Sequence, residues 1–331
     1  MRRLAHAAAL LAGLGLAAPA PAETITLYIG YGPGGGYDVY CRLLAVHLGR
    51  HLPGNPAIVP RNEPGAGSYK LANELYNVLP KDGSALGMIG ESLVIQQVLG
   101  DPAAKFEAGK FAWIGRIADS DPVMVTRPDS GIASVEDARL KETIVGVPGA
   151  GSATALIATV VNGVLGTRFK LISGYDGSAQ IKLAVERGEV QGTSSTLWPF
   201  DEPWVRANKM NILYQTTLEP VAGLETTPTV VSLGRNAEEK TLLRFFAAYT
   251  TIGRSIIAPP GLPPDRIAVL RAAFDATMAD RAFIADAQKQ NLYLSAMAGD
   301  KVQALVEQTA GLQGPLLEKA KVMAAIPDGT K

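Results

Sequence analysis

The chain is poor in the side chains that most enzymes use for chemistry. It has one cysteine and three histidines in 331 residues. A single cysteine excludes an internal disulfide. Cys41 falls in an apolar-periodic stretch and reads as a buried, inert thiol. It is also too far from the N-terminus for lipoprotein acylation. His47 and His51 stand four apart on one predicted helix, which is metal-ligand spacing, but no third ligand is clustered near them in sequence. Histidines equally suit a helix C-terminus, so no metal is expected. A Ser-His-Asp hydrolase is disfavoured because G-x-S-x-G is absent. Cys41 and His47 point to different helix faces, and Cys41 and His51 are too far apart to act together.

Charge of either sign is not in excess, with 31 basic and 31 acidic residues. No basic stripe exists, so no nucleic-acid partner is expected. Long apolar runs are missing too. Arg2 and Arg3 precede a run from Leu10 to Ala18, and Ala20-Pro21-Ala22 is a small-residue cleavage site. That pattern makes 1–22 a signal peptide, with an uncleaved anchor as the alternative. The run falls short of the ~20 residues a membrane span needs. Without the leader the balance is 29 basic against 31 acidic, a net charge of −2.

Glycine is abundant. Ile25–Asp38 begins as a strand, passes through Gly32-Pro33-Gly34-Gly35-Gly36 and enters an apolar-periodic helix over Tyr37–His51. A strand, a glycine loop and a helix N-terminus let backbone N–H groups point at an anion, with no Cβ in the way. This loop reads as one jaw of a cleft for a small carboxylate. The unit then recurs. Ala57–Pro60 leads through Asn62–Ser68 to a helix at Tyr69, which Ser68 can cap. Ala85–Ile89 leads through Gly90-Glu91-Ser92 to Leu93–Leu99. Strands alternating with helices imply parallel sheets, with the ligand at the strands' C-terminal ends. Pro122–Thr126 reads as a strand leaving the first lobe.

Pro64–Ser68 and Pro148–Ser152 are both PGAGS, each between a strand and a helix. The echo suggests two lobes built alike. Further on, Gly174–Ser178 opens a helix that ends at Gly188, and Val190–Ser194 is a strand. Trp198, Phe200 and Trp204 form an aromatic loop, read as a hydrophobic lid on the second lobe, with stacking on a ligand as the alternative. Phe245–Ile257 has no charge except Arg254 and ends in the strand-like return crossing Ser255–Ala258. Asp265–Met278, Arg281–Gln290 and Asp300–Ala325 read as helices packing on the first lobe.

GPGGGYD, NEPGAGSYKLAN, FKLISGYDGSAQIKLAVERGEV and APPGLPPDRIAVLRAAF resemble, in order, four motifs of the substrate-binding proteins of tripartite tricarboxylate transporters, the Bug family. The resemblance implies an α/β, type II periplasmic binding-protein fold: two α/β lobes joined by two crossing strands, with the ligand cleft between. Lobe 1 would be 23–124 and 254–331, and lobe 2 would be 125–253. It implies a monomeric periplasmic protein that captures a small carboxylate, a di- or tricarboxylate or an aromatic acid, for a membrane permease, without a cofactor.

Carried onto this chain, Gly34, Gly35 and Gly36 form the first cradle, joined by Ala66, Gly67 and Ser68. Gly151, Ser152 and Thr154 answer from the second lobe, with Tyr175 and Gly177 beside them. Tyr31, Tyr37, Asp38, Glu91, Ser92 and Ser194 border these loops and complete the candidate site. Tyr37 replaces the family's usual threonine. Glu91 would repel an anion unless it faces solvent or carries a proton. Two other functions share such a fold or loop: a ligand sensor for a receptor, and a phosphate- or nucleotide-binding enzyme. The second lacks the Walker Lys-Ser/Thr.

Overall fold

The structure is a computed structural model that describes residues 24–311 and 313–325; the signal-peptide expectation for 1–22 lies outside them. Two sheets carry the fold. The first comprises β1 (Thr24–Ile29), β2 (Ala57–Asn62), β3 (Ala85–Met88), β4 (Ala112–Arg116), β10 (Ser255–Ala258) and β11 (Met297–Ala298), in the order β11-β4-β10-β3-β1-β2. The second comprises β5 (Pro122–Thr126), β6 (Thr143–Gly146), β7 (Phe169–Ile172), β8 (Gly192–Leu197) and β9 (Asn211–Gln215), in the order β7-β6-β8-β5-β9. In each sheet a parallel group is joined to antiparallel strands that arrive from the other lobe: β10 beside β3, and β5 beside β8. This is the two-lobe α/β architecture that the resemblance implies.

Both sheets are covered on both faces, and side-chain alternation sorts the cores. Ile25, Leu27 and Ile29 of β1 pack with Leu43, Leu44 and Leu48 of α1 (Gly36–Leu48), and with Phe274 of α9 (Pro264–Ala279) and Phe283 of α10 (Arg281–Lys289). On the opposite face, Leu71 and Leu75 of α2 (Tyr69–Asn77) meet Leu93 of α3 (Leu93–Val98), Trp113, and Val302 and Val306 of α11 (Gly299–Ala310). In the second sheet Met124 faces one core while Val123 and Val125 face the other. Helix α5 (Ala153–Leu165) is apolar nearly all round and accordingly buried, between that sheet, α4 (Val135–Leu140) and α8 (Ala237–Ala247). Helix α6 (Ser178–Arg187) covers the other face.

Backbone segments 117–121 and 248–254 both cross between the lobes. They are zipped together: Ile117 N–H donates to Arg254 O, Arg254 N–H to Ala118 O, and Ser120 N–H to Thr250 O.

Several elements differ from the sequence expectations. The first helix ends at Leu48 and tightens into a 3-10 turn over Gly49–His51. The strand expected at Val190–Ser194 runs three residues further, to Leu197. The aromatic segment is not a loop but a helix, α7 (Trp198–Arg206), begun by Pro199 in its first turn. Asp300–Ala325 is two helices rather than one. Helix α12 (Pro315–Ala324) does not stay on the first lobe; it packs on α5 and α8, with Leu316, Ala320 and Met323 in the second lobe's core. Ser68 does not cap α2. Its φ is +80°, and its hydroxyl accepts the Gly90 N–H instead.

Candidate functional site

The loops that follow β1, β6 and β7 meet between the lobes, at the carboxyl ends of parallel strands, where such sheets place ligands. They enclose a cavity of about 410 Å³. Three helix N-termini open onto it. Gly35, Gly36 and Tyr37 begin α1; Ser152, Ala153 and Thr154 begin α5; Ser178 and Ala179 begin α6. No side chain caps α1 or α6. Each N-terminus carries about half a positive charge and unused N–H groups, so the end of the cavity where they meet is anion-seeking.

The glycine loop is held from behind by Asp38, which is buried. Its carboxylate accepts the Gly34 N–H at 2.9 Å, Arg42 Nε at 2.9 Å and Asn62 Nδ2 at 2.9 Å. Burial works against this charge, but the hydrogen bonds outweigh it and hold the carboxyl below its ordinary range. The Gly34 N–H is thus committed to Asp38. Gly34 itself has φ +82°, the left-handed region that favours glycine.

A buried ion pair forms another part of the wall. Arg254 Nη1 donates to Glu91 Oε2 at 2.6 Å, and the Ser120 hydroxyl donates to the same oxygen at 2.6 Å. The side chains are only 4% and 2% exposed. Burial pushes the Glu91 carboxyl up, with Arg254 and the Ser120 hydroxyl opposing that push. The guanidinium carbon lies 3.9 Å from the centre of the Tyr37 ring, which in turn lies 4.3 Å from the Tyr31 ring. Tyr31 donates from its hydroxyl to Gly67 O. Burial raises both phenols, so both keep their protons at neutral pH. Glu91 therefore neither faces solvent nor stands alone: a cation answers it.

The lobes touch around the cavity. Gly32 N–H donates to Asp176 O at 2.8 Å, Ser92 Oγ to Gly151 O at 2.9 Å, and Gln96 Nε2 to Ala150 O at 3.0 Å. The two PGAGS segments meet backbone to backbone. A Cβ on Gly67 would stand 2.3 Å from Ser152 N, and one on Gly149 would stand 2.8 Å from Gly67 N. The cleft is closed.

The family model described as "Tripartite tricarboxylate transporter family receptor" (TctC) matches residues 41–322. The chain belongs to this family. A relative from Cupriavidus necator, the UPF0065 protein in gbd 5'region, is 27% identical over 289 residues, 82% of each chain. Among solved structures, R. palustris Rpa4515 with adipate has a TM-score of 0.71 at 21% identity, covering 92% of this chain and 98% of that one. MatC (Rpa3494) from Rhodopseudomonas palustris with bound malate has a TM-score of 0.71 at 16% identity, covering 92% and 100%. At these identities the likeness is one of fold. Membership of a TctC receptor family makes the chain a solute-binding protein rather than an enzyme.

Within this TctC chain, Tyr31, Gly34, Gly35, Gly36, Tyr37, Glu91, Ser152 and Thr154 line the main cavity. The Ser152 hydroxyl is occupied as a helix cap, accepting Ala155 N–H and donating to Gly149 O. Ala66, Gly67, Ser68 and Tyr175 instead surround a 120 Å³ cavity on the other side of Tyr31. Ser92, Gly151 and Gly177 sit in the contact between lobes, Asp38 stands behind the loop, and Ser194 is buried on β8 away from the wall.

Among the described residues, no group of three or more His, Cys, Asp or Glu side chains could hold a metal. His47 and His51 are matched to Asp286 and Asp280 of the α10 region. Cys41 is buried and its thiol is pushed up by burial. Trp198 belongs to the core, whereas Trp204 forms part of the cavity wall. Ser178, Lys182, Glu186, Asp201 and Arg254 also line it and were not among the expected site residues. Arg254 had left a trace, as the lone charge in an apolar run.

Proposed function

We propose that this TctC-family protein captures a small carboxylate in the closed cleft, in the periplasm, and delivers it to a membrane permease of the tripartite type. The observation that carries the reading is the convergence of three helix N-termini and the buried Arg254 on one 410 Å³ cavity. Its relatives Rpa4515 with adipate and MatC with bound malate point to the same ligand chemistry. The carboxylate bridges N–H groups of both lobes, so it binds the closed form far better than the open one, and that difference drives hinge closure. Export by the N-terminal leader and action as a monomer complete the proposal.

The test is ligand binding without turnover. Carboxylates are expected to raise the melting temperature in a concentration-dependent way while remaining chemically unchanged. Gly35→Asp should weaken that response at least about a hundredfold, roughly 2.8 kcal/mol. Its Cβ would stand 2.8 Å from Ser178 Oγ, and its charge would occupy the anion's place. Native binding by a folded Gly35→Asp variant would refute the assigned cleft.

A further inference from the structure

Resting on the carboxylate reading above, the charges along the cavity narrow the class of acid. Helix α6 supplies the scale. Ser178, Lys182 and Glu186 follow one another at four-residue intervals on one face and all line the cavity, a row about 12 Å long. At its inner end lie the three helix N-termini and the Arg254–Glu91 pair. These two side chains cancel in formal charge, so the helix ends leave this region positive. Arg254 also has side-chain donors to spare: among the described residues its guanidinium makes one hydrogen bond, to Glu91, and its buried Nε has no partner.

The outer end is different. Lys182 Nζ is 3.4 Å from Asp201 Oδ1 and lies 4.2 Å from the centre of the Trp204 ring. Asp201 already balances that lysine. Among the charged side chains that line the outer end, Glu186, exposed one turn further on, is the one left over; Lys209 lies outside the lining, 5.9 Å from the Trp204 ring. The wall between the two ends is apolar, formed by Ile181, Leu197 and Trp204. We infer that the cavity selects a carboxylate bearing a single charge and an uncharged, apolar tail, and that Glu186, with Asp201 occupying Lys182, turns away a second carboxylate.

Three acids of equal length separate the possibilities: hexanoate, 6-aminohexanoate and adipate, with neutral, cationic and anionic tails. Titration calorimetry on the native chain should give the tightest binding to hexanoate and at least about tenfold weaker binding to adipate. Glu186→Lys, a change at an exposed position, should move the adipate-to-hexanoate affinity ratio towards adipate at least about fivefold. Adipate binding as tightly as hexanoate overturns the inference, as does a ratio unmoved by Glu186→Lys. Tightest binding of 6-aminohexanoate overturns the apolar tail. Binding of none of the three overturns the carboxylate reading itself, and this inference with it.

Discussion

Arg254 shows how one side chain settles what a sequence leaves open. Glu91 in a cleft for anions reads as a contradiction until the return crossing brings a guanidinium within 2.6 Å of it. The two residues are 163 positions apart, and no local pattern links them. The stack onto Tyr37 gives that position a physical use for an aromatic ring, since an arginine over a ring face gains cation–π energy. A buried pair is most costly when half of it is removed. Arg254→Met should destabilise the fold by about 3–5 kcal/mol in urea unfolding, because Glu91 is left buried without its partner. The double change Arg254→Met with Glu91→Gln should restore most of that loss. If the single and double variants unfold together, the pair is not coupled.

At the level of elements, the strand–loop–helix units were legible because β-branched runs, glycine clusters and apolar periodicity are local signals. The aromatic segment was not, because Trp198-Pro199-Phe200 reads as a loop until Pro199 is recognised as a first-turn residue. The PGAGS echo was visible, but its use was not. Identical words take different conformations: Ser152 accepts the Ala155 N–H and caps α5, while Ser68 sits in the left-handed region and accepts no N–H of α2. Their small residues let the two lobes' backbones touch. Gly67→Ala should therefore leave each lobe folded yet block closure, its Cβ falling 2.3 Å from Ser152 N at a φ of +66°. The expected result is at least about tenfold weaker ligand binding with a radius of gyration, by X-ray scattering, that no longer shrinks on adding ligand. A variant that still contracts would show that the PGAGS contact does not govern closure.

For the whole molecule, the paired crossing segments are also where proton binding bears on stability. Burial, reinforced by Asp119 and opposed by Arg254, raises Asp121 from 3.8 to about 6. A carboxyl whose folded pKa exceeds its unfolded one is held more tightly by a proton in the native state. Stability from this group is present below pH 3.8 and is lost as pH climbs through about 6. Asp121→Asn should flatten the change in urea midpoint between pH 4 and 7 and raise the midpoint at pH 7. An unchanged pH profile would remove Asp121 from the account.

Helix α12 has a mechanical meaning as well. It leaves α11 on one lobe and lies on α5 and α8 of the other, so the chain crosses between the lobes a third time. Only four residues separate Ala310 from Pro315, a tether that reaches at most about 17 Å when fully drawn out. Swinging the lobes apart beyond that slack requires peeling Leu316, Ala320 and Met323 from their seat. The gape of the empty molecule thus has a built-in stop, set by chain length rather than by stickiness between the jaws.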